Sequence, residues 1–377
     1  MDIVCFSDIC WDFLWQRHQN ILTRFPKSWK ILFIEPTSIL ELIKEPSRIF
    51  PRSYENINII SLPTLPLIDK IAALRPINDN LVLGWLRINF KIKNIALPAL
   101  LYYEPRFSSL IGRLNESLVI YDCVDDKLSF SSVPKWIGAY IDRLIDESNI
   151  IVVTSTNLYN NMIKRKEDVK NIHLIGNGVD VTHFEKAATN ISIPDDIKAF
   201  IGTKVGYIGA IDDWMDFDLI EKMAIEYPHI SFIFIGPVCI NAKDAVNNLR
   251  KISNVFFLGK RSYGILPNYI KAFDLCIIPF KINSLTLCVN PVKLYEYLAG
   301  GKIVVSTNLP EVDKYNSLIF VAKDSIEFIK YIEKALISKI DLRNLMKIAE
   351  ENSWDKKTEM IIDLIQEESK TDKSGVY

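Results

Sequence analysis

The stretch NPVKLYEYLAGGKIVVST at residues 290–307 constrains the fold more than any other part of the chain. Asn290 is a helix-capping residue type, Pro291 suits a first helical position where its missing N–H costs nothing, and Gly300-Gly301 offers the left-handed residue that ends a helix. The β-branched run at 303–307 then has the length of a buried strand, so the order is helix, two-glycine turn, strand. A short helix feeding an apolar strand is the repeat of a parallel α/β sheet. The same alternation runs along the whole chain. Apolar runs stand at 2–7, 30–36, 58–62, 99–104, 117–123 and 149–155, and again at 204–208, 231–235, 255–258, 275–279, 303–306 and 317–321, with helix-length segments between them. This pattern predicts an α/β protein of two Rossmann-like, doubly wound domains.

At 377 residues the chain exceeds one ordinary domain and fits two. The polar, irregular segment at 185–203 reads as a linker between a domain at 1–184 and a second at 204–353. Residues 354–377 read as a C-terminal amphipathic helix, with Trp354, Met360, Ile361 and Leu364 on its apolar side and a disordered polar tail from 369 onward. A formal net charge of -1 leaves no domain-wide basic excess for nucleic acid. Six cysteines without a C-x-x-C pair read as small buried hydrophobes in a reducing compartment. The first residues lack the pattern of a signal peptide, and the longest apolar stretches are about half a membrane span. The expectation is a cytoplasmic protein.

Chemistry-bearing residues gather where strands end. On the helix after Pro291, Lys293, Glu296 and Gly300 share one stripe: helix N–H groups starting at Val292, a cation one residue later and a carboxylate one turn deeper suit a ligand bearing phosphate and hydroxyls. The same spacing also makes a simple i,i+3 surface ion pair. No G-x-G-x-x-G follows the first strand, which speaks against a dinucleotide-binding dehydrogenase. That loop instead carries Trp11, Asp12, Gln16, Arg17 and His18. Arg17 suits bidentate phosphate binding, and His18 is either an acid–base or acceptor-binding group or a satisfied histidine at a helix start. Asp122, Asp125 and Asp126 stand at the end of another strand, for function or for capping. In the second half, Gly206 and Gly209 allow close backbone approach, and Arg261, Lys281 and Lys293 are the cations near strand ends. Tyr263 and Arg261 either stack on a base or belong to a plain surface turn. Residues 66–113 hold seven cations against three acids, mixed with Trp85, Phe90 and leucines. Such a segment either lies on an anionic bilayer at the inner face of a membrane or packs as a core-facing helix with a basic edge.

Residues 291–307 resemble the donor-binding element of GT-B glycosyltransferases of the family-4 type, P-x-K-x-x-E-x-x-A-x-G-K-P-V-V, and NGVDVTHF at 177–184 resembles that family's N-G-V-D-x-x-x-F. The YD-x-x-DD run ending at Asp126 and the W-D-x-x-x-Q-R loop resemble bacterial members of cell-surface polysaccharide synthesis related to teichuronic acid enzymes. The resemblance implies two Rossmann-like domains facing a cleft, with a C-terminal helix crossing back to the first. It implies no cofactor beyond a UDP- or GDP-sugar co-substrate, a glycan or lipid-linked acceptor, retention of configuration, and no metal at the diphosphate. It assigns Glu296 to the ribose and Gly209, Arg261, Tyr263, Lys281, Asn290, Pro291, Val292 and Lys293 to the rest of the donor. Trp11, Gln16 and Asp126 go to the acceptor, and His18, Arg17 and Asp125 to catalysis. Two departures stand out. The first loop of the second half lacks the family's Arg and Lys, and Cys288 replaces the first Glu of E-x7-E, so Ser284, Thr286 or Asn290 would have to bind the sugar hydroxyls. A GT-B sugar-nucleotide epimerase and an inactive scaffold are the alternatives.

Overall fold

The computed structural model describes residues 1–130, 133–166, 171–339 and 341–374, with side chains as far as Lys370. The chain divides into two compact units, Met1–Ile175 with Lys357–Tyr377, and Gly176–Lys356. In the first, β1 (Asp2–Phe6), β2 (Lys30–Ser38), β3 (Arg52–Tyr54), β4 (Ile57–Thr64), β5 (Ala99–Tyr102), β6 (Leu118–Cys123), β7 (Ile150–Val153) and β8 (Ile172–Leu174) form one sheet in the order β3-β4-β2-β1-β5-β6-β7-β8. Pairing is parallel throughout except between β3 and β4. The central strands are continuous apolar runs because both faces are covered, and every residue of β5, β6 and β7 is buried. The helices are α1 (Arg17–Leu22), α2 (Ile39–Lys44), α3 (Leu74–Lys93), α4 (Ile137–Glu147) and α5 (Thr156–Arg165). Strand order reverses between β1 and β5, which is where an open α/β sheet leaves a crevice beyond its strand ends.

The second unit repeats the plan with β9 (Lys204–Ile208), β10 (Ser231–Ile235), β11 (Val255–Gly259), β12 (Leu275–Ile278), β13 (Val304–Thr307) and β14 (Phe320–Ala322). Their order is β11-β10-β9-β12-β13-β14, all parallel, with the reversal between β9 and β12. Its helices are α6 (Val181–Phe184), α7 (Asp195–Lys198), α8 (Phe217–Glu226), α9 (Lys243–Leu249), α10 (Leu266–Ala272), α11 (Val292–Ala299), α12 (Pro310–Asp313), α13 (Ser325–Ile337) and α14 (Leu342–Glu351). The long α15 (Trp354–Ser374) starts in this unit and from Lys357 belongs to the first. Asp180 caps α6 by accepting from the His183 N–H at 3.0 Å.

Four expectations shift. The edge strand β3 was not anticipated, being three residues with no buried position. The segment 185–203 is no linker: Ala187 and Ile197 lie in the second unit's core, and Asp196 accepts from Arg261 at 2.7 Å and from Tyr269. The boundary falls earlier, so 176–184 also belongs to the second unit, where Val179 bridges Ser353 and accepts from the Trp354 N–H. The tail expected to be disordered from 369 continues as helix to Ser374, and 375–377 lie outside the described residues. On α15, Trp354, Ile361 and Ile365 are buried while Met360 is 47% exposed, so the apolar face is rotated from the one expected.

Candidate functional site

The strongest constellation lies in the second unit, beyond the β9/β12 reversal. Pro291 rather than Asn290 is the N-cap of α11, and no side chain caps it. The helix runs from Val292 to Ala299 with Gly300 as its C-cap, and Gly301 takes the left-handed backbone with φ 68°. Lys293 Nζ donates to Glu296 Oε2 at 2.8 Å, and the Glu296 side chain is 3% exposed against 21% for Lys293. Gly209, just after β9, fits under this pair: a Cβ there would lie 3.3 Å from Lys293 Cε and 2.6 Å from the Tyr207 hydroxyl. Its own carbonyl is close to Gly236, where a Cβ would stand 1.8 Å from the Gly209 oxygen. The two glycines therefore let the β9 and β10 ends close up beside Lys293. The Tyr297 hydroxyl accepts from the Ile208 N–H at 2.7 Å and ties α11 to the end of β9. Asn177 donates to the Asn290 carbonyl at 2.7 Å, which fixes the approach to Val292. Helix N–H groups, a cation and a buried carboxylate thus converge on one strand end, an arrangement suited to an anion that also carries hydroxyls.

Other residues expected here are engaged elsewhere. The Asn290 side chain is buried and donates to Glu311 Oε2 at 3.2 Å, so it anchors α12. Arg261 pairs with Asp196 and donates from Nε to the Tyr269 hydroxyl at 2.8 Å, so its charge serves α7 and α10. Tyr263 stacks on His183 with centroids 4.6 Å apart, which occupies one face of the ring meant for a base. Lys281 donates to the Asp213 carbonyl at 2.8 Å and joins the loops after β9 and β12. Thr286 is buried and its hydroxyl donates to the Lys281 carbonyl, so it shapes a turn. Gly206 admits the ring of Phe273, which a Cβ would meet at 2.2 Å, and serves the core. Cys288 is a buried thiol.

In the first unit all six residues of α1, Arg17 and His18 among them, are buried. Buried polar groups need partners, and these find them inward. Arg17 Nε donates to both oxygens of Asp122, at 2.8 and 3.1 Å, with both side chains 2% exposed. His18 Nε2 donates to Asp8 Oδ1 at 2.8 Å, and its ring lies 3.8 Å from that of Tyr103. Asp8 also pairs with Lys127. Burial alone would raise the Asp8 carboxyl, but Lys127 and His18 outweigh it and hold it well below the usual range. Lys127 is correspondingly pushed up by Asp8 and Glu104 against its own burial. Burial raises Glu104 and Asp125, partly offset by Arg106 for Glu104 and by Lys127 for both. Trp11 is buried against Phe33, Tyr54 and Trp15, Gln16 is the N-cap of α1, and Asp126 accepts from the Ser129 hydroxyl at 2.8 Å.

A small cavity of about 40 Å³ beyond the ends of β2, β4 and β5 is lined by Thr64, Arg75, Asn78, Glu104, Arg106, Trp136 and Tyr140 among others. The Arg75 guanidinium sits 3.8 Å from the centre of the Trp136 ring. Aromatic faces beside carboxylate, amide and guanidinium groups suit a polyhydroxylated ligand. Arg75, Glu104 and Arg106 fall in the mixed basic and apolar segment 66–113 visible in the sequence, whereas Trp136 lies outside it and gave no signal. Among the described residues no group of three or more His, Cys, Asp or Glu is placed to hold a metal ion.

The chain is similar to known proteins in sequence and in fold. Residues 202–338 match the family model described as Glycosyl transferases group 1. A teichuronic acid biosynthesis glycosyltransferase, TuaH of Bacillus subtilis (strain 168), is 30% identical over 251 residues, which is 62% of this chain and 62% of that protein. The match thus spans less than two thirds of the relative's length. Among solved structures, an E. coli protein chain described as trehalose-6-phosphate bound with UDP-2-fluoro glucose superposes with a TM-score of 0.73 at 11% identity, covering 96% of this chain and 98% of the other. Anabaena Alr3699/HepE in complex with UDP and glucose gives 0.69 at 14% identity, covering 97% and 99%. The chain therefore has the GT-B fold of two Rossmann-like units, and its residues 202–338 are similar to the glycosyl transferases group 1 family.

Proposed function

We propose that this chain is a glycosyltransferase that moves a sugar from a nucleoside-diphosphate donor, UDP- or GDP-linked, to a saccharide acceptor carried on a lipid, with retention and without a metal at the diphosphate. The observation that carries the reading is the junction of Gly209, Lys293 and Glu296 at the uncapped start of α11. Bond cleavage leaves negative charge on the departing diphosphate, and the Val292 and Lys293 N–H groups with the Lys293 ammonium stabilise it. The Glu296 carboxylate accepts from the ribose hydroxyls. Acceptor hydroxyls approach Glu104, Asn78 and Arg106, which line the small cavity of the first unit, with a sugar face towards Tyr140. The likeness to the B. subtilis teichuronic acid protein supports a surface-polysaccharide acceptor, and a lipid-borne acceptor calls for a peripheral position at the inner membrane face.

Cys288, a buried thiol where the resembled family has a carboxylate, favours one second reading: a protein that binds nucleotide sugar without transferring it. Calorimetric titration with UDP, GDP and their sugars tests the donor site, and Glu296→Ala should weaken the bound nucleotide at least about tenfold. Unchanged affinity in that variant removes Glu296 from the site. Donor binding without sugar transfer to any lipid-linked saccharide favours the second reading.

A further inference from the structure

Helix α3 (Leu74–Lys93) is apolar on two opposite sides. One side, Val82, Leu83, Leu86 and Phe90, is buried against the first unit. On the other, Ile77, Leu81, Ile88 and Ile92 are 53%, 51%, 62% and 72% exposed. At 3.6 residues per turn these four fall within an arc of roughly 60°, centred opposite the core face, and extend along about 22 Å of helix. Gly84 lies in the same stripe, and a Cβ there would meet nothing within 4 Å. Ordinary surface helices expose polar residues in this position, and scattered exposed leucines need no account, but an aligned stripe does. Arg87 and Lys91 are both exposed and run along one flank of it. The only acid of α3, Asp79, points to the other side by its position in the helix turn.

We infer that this stripe is a docking surface for an anionic lipid bilayer, on which α3 lies flat with its isoleucines and leucine among the acyl chains and Arg87 and Lys91 at the headgroups. The charge pattern selects this occupant. Cations beside an apolar stripe with no acid on that face match anionic headgroups, and the helix lies in the interface rather than crossing it. No helix among the described residues is long and apolar enough to span a membrane. The position of the stripe on the fold adds a second argument. Arg75 and Asn78 of the same helix line the cavity beyond β4 and β5, so lipid under α3 would bring a lipid-borne saccharide to that opening. The proposal rests on the membrane part of the proposed function and is independent of the donor site.

The full chain should co-sediment with vesicles of phosphatidylglycerol and phosphatidylcholine and much less with phosphatidylcholine alone. Ile88→Ser with Ile92→Ser, both solvent-exposed and so expected to leave the melting temperature unchanged, should weaken vesicle binding at least about tenfold. Arg87→Gln with Lys91→Gln should abolish the preference for anionic vesicles and the salt dependence while keeping weak binding. Absence of binding to anionic vesicles, or binding that neither double variant alters, overturns the inference. It is equally overturned if the serine variant changes only the molecular mass by light scattering, since the stripe is then a self-association face. Nucleotide titration of the same variants keeps the two readings apart: the donor site should bind as before whatever the vesicles show.

Discussion

Replacing Arg17 by Met isolates the buried ion pair on which the first unit depends. The guanidinium Nε bridges both Asp122 oxygens at 2.8 and 3.1 Å, and each side chain is 2% exposed. Methionine keeps much of the volume and removes the charge. Asp122 is then left as an uncompensated carboxylate away from water, a change that costs about 3–5 kcal/mol in comparable pairs. For a unit of this size, where 1 kcal/mol moves a transition by roughly 2–4 °C, the melting temperature should fall by about 6–20 °C. Two units can unfold in separate steps, so calorimetry should compare Arg17→Met with Lys293→Met, and only the former should shift the transition of the first unit. Adding Asp122→Leu should recover most of the loss, because an apolar pair of similar size needs no compensation. A loss below about 1 kcal/mol, or retained stability with sugar transfer abolished, would refute the argument and return Arg17 to the substrate site.

Two further outcomes follow from named contacts. Gly236→Ala places a methyl group 1.8 Å from the Gly209 carbonyl, so one strand end must move; a loss above about 2 kcal/mol with weaker nucleotide binding is expected, whereas Gly264→Ala, which meets nothing within 4 Å, should stay within about 0.5 kcal/mol, and equal effects would remove the steric explanation. Asp8, held below its ordinary value by Lys127 and His18 despite burial, binds protons less readily in the folded chain than in the unfolded one. Its contribution to stability is present above the unfolded value near 3.9 and is lost as the pH falls below that. Urea midpoints between pH 5 and pH 3 should therefore fall less steeply in Asp8→Asn than in the parent, and parallel slopes would show that Asp8 does not carry this linkage.

Much of this was legible in the order of residues. Every expected strand run corresponds to a strand, because a strand covered on both faces must be apolar throughout and therefore stands out from the helices around it. The helix–glycine–strand unit at 292–307 and the Lys293–Glu296 pair were legible for the same local reason: capping, left-handed turns and i,i+3 spacing act within a few residues. What the chain alone did not decide was the direction in which polar side chains point. Arg17, Trp11 and Arg261 stand beside strand ends, where ligands bind, yet each turns to a partner remote in sequence, Asp122, Tyr54 and Asp196, while His18 turns back to Asp8. A buried charge goes where its counter-charge is, and only the packed sheet brings residues 17 and 122 together. The same holds for Gly209 and Gly236, whose contact depends on adjacent strands, and for α3, of which only the packed fold shows which apolar residues meet the core. Local chemistry sets which elements form, and the tertiary fold sets which of their faces remain for ligands.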